Sequence, residues 1–150
     1  MTGPRRLPAA LRGAWRISRE ALVEEFVFGR ELTCGVVELG PAPRALPVTE
    51  IRAAGRGFFD YEAKYSGRSD EITPAPIPAA LARRVQRLAL DVHRLVGARD
   101  FSRTDFILRG KDLFVLEINT IPGLTRESLL PKAARAAGLR LESIFETLVL

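Results

Sequence analysis

Two neighbouring segments constrain this 150-residue chain more than any others. In Arg103-Thr-Asp-Phe-Ile-Leu108 and Leu113-Phe-Val-Leu-Glu-Ile-Asn119, polar and apolar residues alternate. Side chains of a strand point to opposite faces with period two. One face is therefore predicted to carry Thr104, Phe106 and Leu108 with Phe114, Leu116 and Ile118. The other carries Arg103, Asp105 and Ile107 with Val115, Glu117 and Asn119. A three-residue connection through Gly110-Lys111-Asp112 sets Asp105 opposite Glu117 and Arg103 opposite Asn119. A two-residue loop would set Asp105 against Leu116, on the apolar face, and a one-residue slip moves every side chain to the wrong face. Gly110 can supply the positive φ that such a turn needs.

Carboxylates facing each other across two strands repel, so something must compensate. Arg103 is one neighbour. Mg²⁺ is the better candidate, because it takes oxygen ligands from one or two carboxylates together with substrate phosphates. Asp105, Glu117 and the Asn119 carbonyl are a hard oxygen set without soft donors. A solvated sheet face with an incidental ion pair has the same spacing. The apolar back face and the following Thr120-Ile-Pro-Gly123 turn favour the metal reading.

The length is that of one domain, and 47% hydrophobic residues are enough for a core. No apolar run is long enough to span a bilayer, and no apolar stretch follows the basic residues Met1 to Arg6 as in a signal peptide. The single cysteine, Cys34, excludes an internal disulfide and fits a reducing compartment. These features point to a cytoplasmic protein without membrane partners. A net charge of +5 raises the question of nucleic acid. Only three of the 23 basic residues are lysine, the arginines are scattered, and no aromatic-basic interleaving or nucleic-acid module occurs, so no nucleic-acid partner is expected. Cys34 is expected in the core. The lone His93 is expected at a surface or boundary position, with no second His or Cys to complete a metal site. No Ser-His-Asp arrangement supports triad hydrolysis.

Along the chain, Leu7 to Arg16 reads as a short helix with Pro8 near its start. Ala21 to Phe28 and Glu31 to Glu38 read as strands of a hairpin turning at Gly29-Arg30, and Arg44 to Ile51 as a third strand. Gly55 to Gly67 is aromatic and loop-like, and Arg68 to Pro78 is polar and proline-punctuated. Pro78 to Val96 is the clearest helix, with Leu81, Val85, Leu88, Val92 and Leu95 forming one stripe and Gly97 at the C-terminal cap position. The hairpin follows, then helices over Glu127 to Ala137, closed by Gly138, and Glu142 to Leu148. Strands first, then helix, hairpin and helices imply an α+β fold with a mainly antiparallel sheet.

Several segments resemble one known family. Glu24-Glu-Phe-Val-Phe-Gly-Arg-Glu-Leu-Thr33, Asp60-Tyr-Glu-Ala-Lys-Tyr65, Pro74-Ala-Pro76, Arg103-Thr-Asp105, Glu117-Ile-Asn-Thr-Ile-Pro-Gly123 and Ser128-Leu-Leu-Pro-Lys132 are similar to the D-alanine–D-alanine ligases, in order and at matching spacing, from about Leu7 to Leu150. The resemblance implies an ATP-grasp-type fold and ATP-dependent joining of two D-alanines, through an acyl phosphate, to the dipeptide of peptidoglycan precursors. It implies Mg²⁺ (or Mn²⁺) held by Asp105, Glu117 and Asn119 between the ATP phosphates. Arg103 would stabilise the transferring phosphoryl group, and Gly123 would offer a backbone N–H to the oxyanion. Ser128 and Leu129 would bind the carboxylate of the second D-alanine. Glu24, Phe26 and Val27 would contact adenine, Glu31 the ribose and Lys64 a phosphate. Tyr65 would lie on a closing loop, Gly57 to Gly67.

The resemblance covers about the C-terminal half of the family's enzyme. The expected organisation is a tail, residues 1–6, and one domain, residues 7–150, forming the C-terminal part of an ATP-grasp domain. The N-terminal domain, with its glutamate for the first D-alanine, has no counterpart here. Neither have the Gly/Ser-rich phosphate loop and two upstream ATP-binding lysines. The chain is therefore expected to be an incomplete fragment that is inactive alone. The alternatives are a stand-alone, non-catalytic nucleotide-binding module, or a relative that joins D-alanine to D-lactate or D-serine. For the full-length enzyme the resemblance implies a homodimer.

Overall fold

The first strand of the sheet, Arg-Glu-Leu-Thr-Cys-Gly-Val-Val, is buried along nearly its whole length, and it forms the centre of the molecule. The structure is a computed structural model that describes residues 6–53 and 69–149. Six strands form one sheet: β1 (Arg30–Val37), β2 (Arg44–Ala45), β3 (Thr49–Ala53), β4 (Ser69–Ile72), β5 (Phe101–Arg109) and β6 (Asp112–Asn119). Their order is β4-β3-β1-β5-β6, β2 also pairs with β1, and every pairing is antiparallel. Four described helices accompany it: α1 (Leu7–Ala14), α2 (Ala79–Leu95), α3 (Leu129–Ala136) and α4 (Leu141–Val149). This is the expected α+β fold, a mainly antiparallel sheet with flanking helices.

Period-two alternation separates two cores. Leu32, Cys34 and Val36 of β1 and Phe106 and Leu108 of β5 pack with Val85 and Ala89 of α2. Val37 and Leu46 pack with Leu130, Ala133 and Ala134 of α3 and Ile144 of α4 on the other face. Gly35 is small for this reason: a Cβ there would meet Leu130 Cδ1 at 2.6 Å. Helices α3 and α4 cover one end of that face and leave Glu31, Thr33, Arg103 and Asp105 beyond it. Gly97 and Gly138, with φ of 65° and 72°, follow α2 and α3 at their expected positions.

Several expectations need correction. Ala21 to Phe28 is not a strand; the sheet begins at Arg30. Both edges of β1 over Glu31–Thr33 are taken, by β3 and β5, so these β-favouring residues have no ladder to join there. The third strand is broken into β2 and β3 by Leu46-Pro47-Val48, and polar Ser69–Ile72 adds an unforeseen strand. His93 is buried rather than at the surface, while Leu95 of the predicted stripe is 85% exposed. The His93 ring can be buried because Nδ1 lies 2.8 Å from Ser102 Oγ and Nε2 lies 3.3 Å from Glu38 Oε1.

The last correction concerns the hairpin. Arg109 pairs with Asp112, so the turn has two residues, Gly110 (φ 61°) and Lys111, and not three. Nevertheless Asp105 pairs with Glu117 and Arg103 with Asn119, as expected. A β-bulge at Leu116, which has no partner between Val115 and Glu117, makes up the missing residue. Phe114 is thereby brought opposite Ile107 and Val115 opposite Phe106, reversing their predicted faces.

Candidate active site

Arg103 and Asp105 lie two residues apart on β5 and so on the same face. Arg103 donates from Nε to Asp105 Oδ1 and from Nη2 to Oδ2, both at 2.9 Å. Thr33 of β1, the cross-strand partner of Asp105, donates its hydroxyl to Oδ1 at 2.5 Å. Both charged side chains are nearly buried, 10% and 8% exposed. Burial works against the charged guanidinium. The hydrogen bonds to Asp105 and the charges of Asp105, Glu117 and Glu31 outweigh it and hold its pKa above the ordinary arginine value. A fork–fork pair of this kind is geometrically rigid. Losing one partner would strand a buried charge at a cost of about 3–5 kcal/mol.

The β6 side differs. Glu117 faces Asp105 from the sheet edge and is exposed. Asn119 is half-buried, and its Oδ1 accepts the Ile121 N–H at 2.9 Å, which turns the chain out of the strand. Among the described residues no three His, Cys, Asp or Glu side chains gather as a metal site. The oxygen set at this point is Asp105, Glu117 and the Asn119 carbonyl. It suits a hard divalent cation: each carboxylate offers about four lone-pair directions, of which Asp105 uses three.

After β6 the chain folds back on itself. Thr125 O accepts the Ser128 N–H at 2.9 Å, and the Thr125 and Ser128 hydroxyls lie 2.9 Å apart. Gly123 is thereby brought against Ser128, close enough that a Cβ would meet Oγ at 2.7 Å. Ser128 and Leu129 stand at the start of α3. The Ser128 side chain makes no cap to the helix, so it satisfies none of the N–H groups that the first turn of α3 leaves without an intrahelical partner. Lys132, one turn along, pairs with Glu71 of β4 at 2.9 Å and ties α3 to the far edge of the sheet.

Glu24, Phe26 and Val27 lie in the irregular segment that enters β1. Gly29 passes so close to β5 that a Cβ would meet Leu108 O at 2.4 Å. The segment is held further by an ion pair of 3.0 Å between Glu25 and Arg109, and the Arg109 guanidinium lies 4.5 Å over the Phe114 ring. Glu31 follows on β1, two residues from Thr33 and on the same face. Lys64, Tyr65 and the Gly57 to Gly67 loop lie outside the described residues. Sequence reasoning missed Thr33, whose place beside Asp105 depends on β1 pairing with β5. It also assigned Leu116 to the apolar back, whereas the bulge leaves this residue 52% exposed next to Glu117.

Comparison with known proteins identifies the family. The family model for the D-Ala–D-Ala ligase C-terminus matches residues 2–150. The D-alanine–D-alanine ligase of Flavobacterium johnsoniae is 43% identical over 93% of the chain and 43% of its own length. Among solved structures, the Bacillus anthracis D-alanine–D-alanine ligase complexed with ATP superposes with a TM-score of 0.80 at 31% identity, over 97% of this chain and 47% of that one. The VanG D-Ala:D-Ser ligase of Enterococcus faecalis gives 0.82 at 31% identity, over 98% and 43%. The chain thus spans less than half the length of these relatives. No described helix is long and apolar enough to cross a membrane. With its sheet, its buried Arg103–Asp105 fork and its Gly123–Ser128 turn all lying within the matched span, the chain belongs to the D-alanine–D-alanine ligase family, as its C-terminal, ATP-grasp-type part.

Proposed function

We propose that this chain forms the metal- and second-substrate wall of an ATP-dependent ligase that joins two D-alanines for peptidoglycan precursors, and that it needs the family's upstream half for turnover. The observation that carries the proposal is the buried Arg103–Asp105 fork directly opposite exposed Glu117. Mg²⁺ (or Mn²⁺) bound there would neutralise phosphate charge. Asp105, Glu117 and the Asn119 carbonyl would hold it. Arg103, fixed by Asp105, would present its remaining N–H donors to the transferring phosphoryl group. The D-alanine carboxylate attacks the γ-phosphorus, ADP leaves, and an acyl phosphate forms. The amine of the second D-alanine then displaces phosphate from the acyl carbon and releases its proton.

The Gly123 N–H would stabilise the oxyanion of that second step. The open start of α3, at Ser128 and Leu129, would receive the second carboxylate, as a helix N-terminus favours anions. Glu24, Phe26 and Val27 would line the adenine with Leu116 as an added apolar surface, Glu31 would reach the ribose, and Lys64 and Tyr65 would close from the loop. Cytoplasmic ATP and D-alanine are the natural partners of such a site, in a single domain over residues 7–150, with dimerisation a property of the full-length enzyme.

Titration calorimetry of the chain with Mg·ATP tests the wall. Binding is expected, and Glu117→Ala is expected to weaken it at least about tenfold through loss of a charged ligand; equal affinity would overturn the assignment. D-alanine-dependent phosphate release from the chain alone is expected to be negligible, and robust release would refute the need for the other half. The similarity to a D-Ala:D-Ser ligase supports a second reading in which D-serine is the second substrate. Product analysis after complementation with an upstream half, given D-alanine and D-serine together, separates the two.

A further inference from the structure

A groove of about 650 Å³ lies between β2 and α2, beside the face opposite Asp105. It is lined by Pro43, Arg44, Ala45, Ala80, Arg83, Gln86, Arg87 and Leu90. No acidic residue lines it. Helix α2 carries four arginines, and their partners divide them. Arg84 donates to Lys111 O at 2.7 Å, and Arg94 lies 3.8 Å from Asp91. Arg83 and Arg87, the two that line the groove, have no ion pair or hydrogen bond among the described residues, and neither has Arg44 on the opposite wall. Arg83 and Arg87 are i,i+4 neighbours, so their like charges oppose the helix. Gln86, between them, is anchored by its Nε2 donating to Leu46 O at 3.0 Å. Pro43, Ala45, Ala80 and Leu90 give the groove an apolar floor. The volume is that of a small-molecule pocket.

Two walls of unpaired guanidinium groups over an apolar floor define the chemistry of a ligand. A phosphate dianion satisfies several forked N–H donors at once, and an apolar body would lie against the floor. We propose that this groove binds a small organic phosphomonoester, at a site separate from the ligase site and independent of its assignment.

The test is a ¹⁵N NMR titration of the chain with phenyl phosphate at low ionic strength, with EDTA present to silence the metal face. Saturable shifts are expected at the backbone N–H groups of Ala45, Gln86 and Leu90, with affinity above that for inorganic phosphate. Arg87→Gln and Arg83→Gln on α2, and Arg44→Gln on the other wall, are each expected to weaken binding roughly tenfold. Arg94→Gln removes the same charge from α2 outside the groove and is expected to change little. Circular dichroism checks that the helix persists, and Arg44→Gln keeps the test valid if an α2 variant does not fold. The proposal is overturned by the absence of saturable shifts at millimolar phenyl phosphate or by equal effects of Arg94→Gln and Arg87→Gln. It is equally overturned by inorganic phosphate binding as tightly as the ester, or by an acidic peptide binding where the ester does not.

Discussion

The two arms of one hairpin have similar alternation and opposite environments. β5 is buried along most of its length, whereas β6 is mostly half-buried or exposed. Position in the sheet causes the difference: β5 has a strand on each side, and β6 is the edge. The candidate site uses both conditions. On β5, Arg103 and Asp105 are locked together with Thr33, out of water. On β6, Glu117 is exposed and Asn119 half-buried, so a ligand can reach this side. Fixed charge geometry and accessible coordination are supplied by different strands of the same ladder.

Arg103→Met would break this contrast most severely. It leaves Asp105 buried without its fork, and urea unfolding should show a loss of about 3–5 kcal/mol; a loss below about 1 kcal/mol would mean that the pair is not the internal anchor described here. Glu50, also buried, provides a milder case. It lies on the opposite face and accepts from Arg30 at 2.7 Å and Arg52 at 2.8 Å, and these partners are 41% and 50% exposed. The hydrogen bond from Arg30 outweighs burial, and with Arg52 it holds the Glu50 pKa below its ordinary 4.5. Its contribution is therefore present above that ordinary value and is lost as pH falls through the lower, folded value. Glu50→Gln should cost about 1–2 kcal/mol at neutral pH and flatten the acid limb of the stability curve; an unchanged acid limb would assign that limb to other groups. Glu117→Gln should have the smallest effect on folding, within about 0.5 kcal/mol, since relief of repulsion from Asp105 offsets the loss of an exposed charge that attracts Arg103. A large loss would show that the edge strand is structural after all.

The pairing of Asp105 with Glu117 was legible from the alternation alone, because a carboxylate on the apolar face would be too costly. The route to it was not. A two-residue turn plus a bulge at Leu116 gives the same pairing at this point as a plain three-residue turn, and period-two reasoning does not distinguish them. Helix α2 was legible from its periodicity, but His93 within it was misplaced because its partners, Ser102 and Glu38, come from distant strand ends. The segment from Ala21 to Phe28 failed for a related reason. Its residues favour a strand, but pairing needs a free neighbour edge, which is a property of the assembled sheet. Cys34 was correctly assigned to the core, and burial pushes its thiol up to about 12.

Gly29 has the most practical implication. Its backbone rests on β5 with no room for even a methyl group, between the segment carrying Glu24, Phe26 and Val27 and the sheet carrying Asp105. A single alanine at this position would act as a spacer. It would lift the Glu24–Val27 segment away from the sheet face that carries Asp105 while leaving every proposed ligand in the sequence. If the proposed site holds ATP, the alignment of its two ends would thus be set at a residue that need not touch it, and a survey of variants limited to ligand contacts would overlook it.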